Sequence, residues 1–167
     1  PYGTLGLAED TWALNEGAID EEAFLKQAYY LFEEREKMFL KALEKTTNGL
    51  CACVFDTTDR IQHMFFRCLD ESHPANRGKE VERYKNVIED LYVRMDKLIG
   101  KVLERVDDKT VVMVMSDHGF TQFKRGVNLN TWFLQNGYLS LKDGKGTSGD
   151  WFENVDWSKT RAFSLGL

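Results

Sequence analysis

The sequence predicts an α/β fold, with a mainly parallel sheet and helices on both of its faces. Two short, continuously apolar runs, "LCACVF" at 50–55 and "TVVMVM" at 110–115, are typical of strands that are buried on both faces. A long amphipathic stretch separates these two runs along the chain. Because a strand, a helix and a second strand form a crossover, two such strands in one sheet have to run parallel.

Two long helices are expected from apolar residues that recur at intervals of three and four. The first covers about 20–45, with Asp20 as its N-cap. The second covers about 79–106. Its apolar stripe consists of Val81, Tyr84, Ile88, Leu91, Met95, Leu98 and Val102. Residues 59–69, directly after the first predicted strand, also have helical character.

The chain is expected to form a single α/β domain over residues 1–167, as an excerpt of a larger domain. It begins with Pro1 rather than methionine and ends in "RAFSLGL", an apolar run that resembles an unfinished strand. A further short strand is predicted at "YLSL", residues 138–141. The length of 167 residues suits one domain with its own core.

The charge balance argues against a protein that binds nucleic acid through a broad basic surface. The 22 Lys and Arg residues are outnumbered by 27 Asp and Glu, which gives a formal net charge of -5, whereas nucleic-acid phosphates are held by concentrated positive charge. No apolar run is long enough to span a bilayer, and these residues show no signal-peptide pattern. A soluble protein is therefore expected, with a cytoplasmic location preferred.

Carboxylates and imidazoles directly follow both predicted strands. Asp59 and His63 are four residues apart, so one helical turn would place them on the same side. Asp117 and His118 are adjacent in a loop opened by Gly119. Because ligands of open α/β sheets bind outside the carboxyl ends of the strands, these four side chains are expected at one edge. Carboxylate oxygen and imidazole nitrogen suit zinc, and also manganese or iron, as one tetrahedral site or as parts of two.

A purely structural role is the alternative for these side chains. Asp-x-x-x-His is a common pattern. Asp59 could instead cap the helix or pair with Arg60 or Arg67, while His63 lies on the surface. The coincidence of two such motifs at the ends of one βαβ unit favours a shared site. Nearby, Asp56 is expected to fix the loop through backbone N–H groups. Lys124 either faces a phosphate or is simply solvated.

The motifs "DTTDRIQHMF" at 56–65 and "SDHGF" at 116–120 resemble those of the alkaline phosphatase superfamily, specifically its type I phosphodiesterase/nucleotide pyrophosphatase branch. The segments "GVNLNTWFLQNGYL" and "VDWSKTRAFSLGL" are similar to flanking segments of uncharacterised bacterial members. The resemblance covers most of the chain. The two motifs in this order are fairly specific to the superfamily.

The resemblance implies an alkaline phosphatase-like fold and a hydrolase of phosphodiester or pyrophosphate bonds that uses two divalent ions. Zinc is the first candidate, with manganese and iron as alternatives. Asp59 and His63 would bind one ion, and Asp117 and His118 the other. The family also uses an earlier Asp, a Thr or Ser nucleophile after an upstream strand, and a later His. These groups are expected outside this chain, so the isolated chain is expected to be inactive although its parent is an enzyme.

Two alternatives stay open. The first keeps the superfamily but changes the chemistry to that of a phosphoglycerate mutase, a sulfatase or a phosphonate hydrolase. The second is a non-catalytic α/β module in which the Asp and His groups only form ion pairs, and it predicts no metal affinity. For the hydrolase, the expected partner is a small phosphorylated substrate, with a nucleotide as one candidate. The acidic net charge is compatible with such a substrate, because a bound metal ion can supply local positive charge.

Overall fold

The computed structural model describes Gly3 and residues 8–165 of the chain. Over these residues there are five α-helices: α1 (Thr11–Asn15), α2 (Glu21–Lys45), α3 (Thr57–Phe65), α4 (Val87–Leu103) and α5 (Leu129–Gln135). Short 3₁₀ helices lie at Phe66–Leu69, Pro74–Asn76, Glu82–Tyr84 and Asp150–Phe152. Within this described part, no helix combines the length and the apolar character that crossing a bilayer requires.

The predicted α/β fold with a mainly parallel sheet is wrong, since the secondary structure of the described residues is helical and includes no strand. The runs at 50–55 and 110–115 lie largely in solvent, with 88% of Leu50 and 85% of Val111 exposed. A strand needs a neighbouring strand to satisfy its backbone hydrogen bonds. Apolar composition favours burial, but it does not supply that partner.

The two later strand predictions have the same outcome. At "YLSL" the structure has only an isolated antiparallel bridge, between Leu141 and Val155. Residues 161–165 of the final apolar run form no strand, and residues 166–167 of that run lie outside the described part. Short apolar runs are therefore ambiguous signals when the partner has to come from a distant part of the chain.

Helix α2 begins where the sequence predicts. Asp20 Oδ1 accepts a hydrogen bond from Ala23 N at 2.8 Å, so Asp20 is the N-cap. The buried apolar residues of this helix are Phe24, Ala28, Leu31 and Phe32. Met38, which has the helical spacing of that face, is 37% exposed. The apolar face of α2 is thus fully buried over its first half, and in the second half Phe39, Leu40 and Leu43 pack against the core while partly exposed.

Helix α4 is shorter than predicted, because it begins at Val87. Residues 79–86 include the 3₁₀ helix Glu82–Tyr84 but no α-helix. The predicted stripe is confirmed along α4 itself, where Ile88, Leu91, Leu98 and Val102 are buried. The 3.6-residue period therefore predicted the buried face correctly and the start of the helix too early.

Helices α2, α3 and α4 share one apolar core. The ring centroids of Phe24 in α2 and Phe65 in α3 lie 6.2 Å apart, and Phe65 also lies 5.5 Å from the Tyr84 ring. Ile61 of α3 and Leu91 of α4 are fully buried in the same cluster. This core belongs to residues 1–124, the first of two compact units.

The second compact unit comprises residues 125–167 and contains α5. Its buried residues include Leu139 and Val155. The side-chain amide of Asn130 donates to the Ser164 carbonyl and accepts from the Ser164 amide, each at 2.7 Å. This pair of hydrogen bonds ties α5 to the described end of the chain.

The core assignment predicts a large difference between two leucines of α4. Leu91 is 0% exposed and Leu103 is 55% exposed. Leu91→Ala is expected to lower the free energy of unfolding by about 2–5 kcal/mol, because it removes buried methyl groups and leaves a cavity. Leu103→Ala makes the same chemical change on the same helix and should cost less than about 1 kcal/mol. Urea denaturation followed by circular dichroism measures both, and equal losses would contradict the assignment.

Candidate functional site

Helix α3 places Asp59 and His63 side by side. His63 Nε2 lies 3.2 Å from Asp59 Oδ1, as the spacing of four residues predicts. Ile61 lies two positions after Asp59, and Phe65 two positions after His63; both are fully buried. The apolar face of α3 thus packs into the core while the opposite face presents a carboxylate and an imidazole.

The segment around Asp117 and His118 brings a second imidazole to the same carboxylate. His118 Nε2 lies 3.7 Å from Asp59 Oδ1 and 3.7 Å from Asp117 Oδ2. On the other side of the ring, His118 Nδ1 lies 3.1 Å from the Gly119 carbonyl oxygen. Since a carbonyl oxygen only accepts, Nδ1 is the donor in that contact, which leaves Nε2 facing the carboxylates.

The four predicted site residues therefore lie in one cluster, which we call the Asp59 cluster: Asp59, His63, Asp117 and His118. Asp117 is at its edge, with 88% of its side chain exposed. In the described part of the chain, no group of three or more His, Cys, Asp or Glu side chains has the arrangement of a formed metal site. The observed contacts are those of ion pairs centred on Asp59. They include the pair expected for a structural role, because the Arg60 guanidinium lies 3.5 Å from Asp59 Oδ2.

Phe120 is a contact of both histidines that the sequence reasoning missed. Its ring centroid lies 5.0 Å from that of His63 and 5.4 Å from that of His118. On its other side it stacks on Phe66 at 6.0 Å. The aromatic side chain thus fills the space beside the two imidazoles. Its position directly after Asp-His-Gly was the only available signal.

The start of α3 is fixed to α2 by Arg35. Its guanidinium donates to Asp56 Oδ2 at 2.6 Å and to the Val54 carbonyl at 2.9 Å. Asp56 makes no side-chain cap hydrogen bond to the helix, so the prediction that it holds backbone N–H groups is wrong. A charged guanidinium is a stronger donor to a carboxylate than a neutral backbone N–H group.

A buried polar pair also lies at the start of α3. The Thr57 hydroxyl donates to the Glu9 carboxylate, and both residues are buried. Glu9 lies 48 positions earlier in the chain, so local patterns could not predict this contact. Together with Arg35, it restrains the helix turn that precedes Asp59.

Lys124 is held in an ion pair rather than left in solvent. Its Nζ lies 2.5 Å from Asp70 Oδ2. The hydrogen bonds from Lys124 and from the Ser72 hydroxyl and amide hold the pKa of Asp70 at about 2. Lys124 therefore fixes the end of the segment that carries Asp117 and His118.

A family model described as type I phosphodiesterase / nucleotide pyrophosphatase matches residues 9–162. The chain belongs to this family. The resemblance inferred from the two motifs is thereby confirmed, and the matched range of this type I phosphodiesterase chain contains the whole Asp59 cluster. No curated protein and no solved structure gives a significant match.

The low pKa of Asp70 predicts an acid-dependent loss of stability. Its folded pKa of about 2 lies below the ordinary value of 3.8, so the contribution of the Lys124 pair is complete above the ordinary pKa and disappears as the pH falls towards 2. The melting temperature of the wild type should therefore approach that of Asp70→Asn across this range. Thermal unfolding at a series of pH values measures the difference. Asp96→Asn, at an exposed carboxylate of α4, is the control. A difference in melting temperature between wild type and Asp70→Asn that is undiminished at pH 2 would contradict the prediction.

Proposed function

We propose that the protein is a metal-dependent hydrolase of phosphodiester or pyrophosphate bonds, in which this chain supplies part of a two-ion site. The expected substrate is a small phosphorylated molecule, with a nucleotide as the first candidate. Membership of the type I phosphodiesterase family supports the hydrolytic class. The observation that carries the finer proposal is the convergence of His63 Nε2 and His118 Nε2 on Asp59 Oδ1, at 3.2 and 3.7 Å.

The electrostatics of this convergence favour a bound cation. Because His118 Nδ1 contacts the Gly119 carbonyl as the donor, the neutral ring has its unprotonated Nε2 towards the carboxylates. A lone pair facing a carboxylate oxygen is repelled by it. A divalent ion between the two atoms would remove this repulsion. The Arg60 guanidinium, 3.5 Å from Asp59 Oδ2, supplies positive charge only to the other carboxylate oxygen.

The donor atoms fit a divalent ion of the zinc type. Carboxylate oxygen and imidazole nitrogen are both ligands of zinc, at about 2.0–2.2 Å, so two ligand atoms of one tetrahedral ion lie roughly 3.3 Å apart. The separation of 3.2 Å between His63 Nε2 and Asp59 Oδ1 is near this value. The second pair, His118 Nε2 and Asp117 Oδ2, is wider at 3.7 Å. Manganese and iron accept the same donors and are the alternatives.

The roles proposed for this chain follow from its contacts. Asp59 and His63 would hold one ion, and Asp117 and His118 the other, with α3 setting the direction of the first pair. Bound ions of this kind stabilise charge on a phosphoryl group and activate a hydroxyl at neutral pH. Phe120 packs against both imidazoles and limits the positions that their rings can take. The nucleophile is proposed to lie outside these residues.

A structural role is the second candidate, because the distance of 3.2 Å between His63 and Asp59 also suits a simple ion pair. In that case the cluster holds α3 and the His118 segment together through the contacts of both imidazoles with Asp59. Metal affinity separates the two candidates, since an ion pair predicts none.

Loss of the shared carboxylate is expected to abolish tight zinc binding. In the metal-stripped, full-length protein, Asp59→Asn should weaken zinc binding by about 100-fold. The reason is that it removes the charge of the carboxylate that both imidazoles contact. Isothermal titration calorimetry with zinc alone measures the affinity. Asp96→Asn removes the same charge from an exposed position on α4 and should bind like the wild type. A wild type without zinc affinity would favour the structural role.

Hydrolytic activity is expected to follow the metal. The metal-stripped full-length protein should not cleave bis(p-nitrophenyl) phosphate, and zinc or manganese should restore cleavage. Asp117→Asn should lower the restored rate by about 100-fold or more, because the variant loses a ligand charge at the site. Release of nitrophenolate measures the rate, with Asp96→Asn as the control. A folded, metal-loaded protein without activity would contradict the phosphodiesterase proposal.

A further inference from the structure

The segment that carries Asp117 and His118 has little backbone support. In the described part of the chain, no backbone–backbone hydrogen bond joins residues 111–124 to another segment. The hydrogen bonds around the two site residues are local: the Ser116 hydroxyl donates to the His118 carbonyl, and the His118 amide donates to Asp117 Oδ1 at 3.1 Å. Side-chain contacts therefore have to set the position of this segment against α3.

Two of these contacts come from the loop at 70–76 and fall on neighbouring residues. His73 Nε2 lies 3.0 Å from the Phe123 carbonyl oxygen, and Asp70 pairs with Lys124. Phe123 is five positions after His118. Fixing its carbonyl therefore limits how far His118 can move from Asp59.

The orientation of the His73 ring is determined by hydrogen bonds on both of its nitrogens. His73 Nδ1 accepts from the Ala75 amide at 3.2 Å, so the proton of the neutral ring is on Nε2. Nε2 then donates to the Phe123 carbonyl. His73 is also buried, which strengthens this contact by removing competing water.

The loop that carries His73 is itself anchored to the helical core. The Asn76 amide donates to the Arg67 and Asp70 carbonyls at 3.0 and 2.9 Å, and its oxygen accepts from Arg67 NH1 at 2.7 Å. Arg67 NH2 in turn lies 2.8 Å from Glu21 Oε1, at the start of α2. A continuous series of polar contacts thus runs from α2 to the Phe123 carbonyl.

We infer that His73 is a positioning residue for the candidate site: its hydrogen bond to the Phe123 carbonyl holds the segment 117–123 so that His118 lies against Asp59. His73 does not contact the Asp59 cluster itself and is not proposed as a metal ligand. The consequence for metal affinity rests on the proposed function, whereas the effect on the position of His118 does not.

Two substitutions, His73→Gln and His73→Asn, test the hydrogen bonds of the two ring nitrogens of His73 one at a time. The His73→Gln amide reaches the position of Nε2 and can still donate to the Phe123 carbonyl. The His73→Asn amide reaches only the position of Nδ1 and can still accept from the Ala75 amide. A positioning role through Phe123 therefore predicts that Gln preserves the site and Asn does not.

The position of His118 is measured without metal by proton NMR. Phe120 lies beside the rings of His63 and His118, so its ring current shifts their imidazole signals, and this chain has three histidines. In His73→Asn the His118 signals should move towards the values of an exposed imidazole. In His73→Gln they should stay near those of the wild type.

Zinc affinity of the metal-stripped full-length protein is the second measurement. His73→Asn should bind zinc about 10–100-fold more weakly, the range known for supporting residues of metal sites, and His73→Gln within about threefold of wild type. Asp96→Asn, at an exposed carboxylate of α4, is the control and should bind zinc like the wild type.

The results distinguish the two proposals. If Asn preserves the His118 signals, or preserves them better than Gln, the inference is overturned, because the contact with Ala75 would then be the important one. If the wild type binds no zinc but the NMR signals respond as described, the proposed function fails and the positioning role of His73 stands.

Discussion

The apolar packing of α3 is the constraint on which the candidate site depends. Ile61 and Phe65 are fully buried between α2 and α4, and Asp59 and His63 each lie two positions before one of them. With 3.6 residues per turn, a shift of two positions moves a side chain to roughly the opposite side of the helix. Burial of Ile61 and Phe65 therefore orients Asp59 and His63 away from the core. Helix geometry then brings His63 Nε2 to 3.2 Å from Asp59 Oδ1.

Asp117 and His118, the other half of the Asp59 cluster, do not lie on a helix that is packed in the core. Residues 116–124 are neither helix nor strand. The contacts that place His118 include the ring of Phe120, the hydrogen bond from His73 to the Phe123 carbonyl and the Lys124–Asp70 pair. Such a segment can open at a lower free-energy cost than a helix packed in a core. Any free energy needed to order it is subtracted from the free energy of ligand binding. The affinity of the site should therefore depend more on contacts around His118 than on those of α3.

The sequence allowed correct prediction of features that depend on local patterns. The N-cap at Asp20, the buried stripe of α4 and the shared face of Asp59 and His63 all follow from spacing within one helix. The predicted sheet is absent from the described residues. Apolar runs alone could not show this, because a strand also needs a partner from a distant part of the sequence. The proximity of His118 to Asp59 was expected from the ends of parallel strands, yet the described residues achieve it without strands. The role of His73 has no sequence signal, since its partner lies 50 residues away.

The geometry also bears on how the ligands are shared. The family resemblance pairs Asp117 with His118 on an ion of their own, but His118 Nε2 is equally distant, at 3.7 Å, from Asp59 Oδ1 and Asp117 Oδ2. Asp117 is almost fully exposed, so water screens its charge, whereas Asp59 is half-buried and its charge acts more strongly on a nearby group. Asp59 is the carboxylate that both imidazoles contact. The two proposed ion sites would therefore be coupled through Asp59: a change at Asp59 reaches both histidines, while a change at Asp117 reaches one.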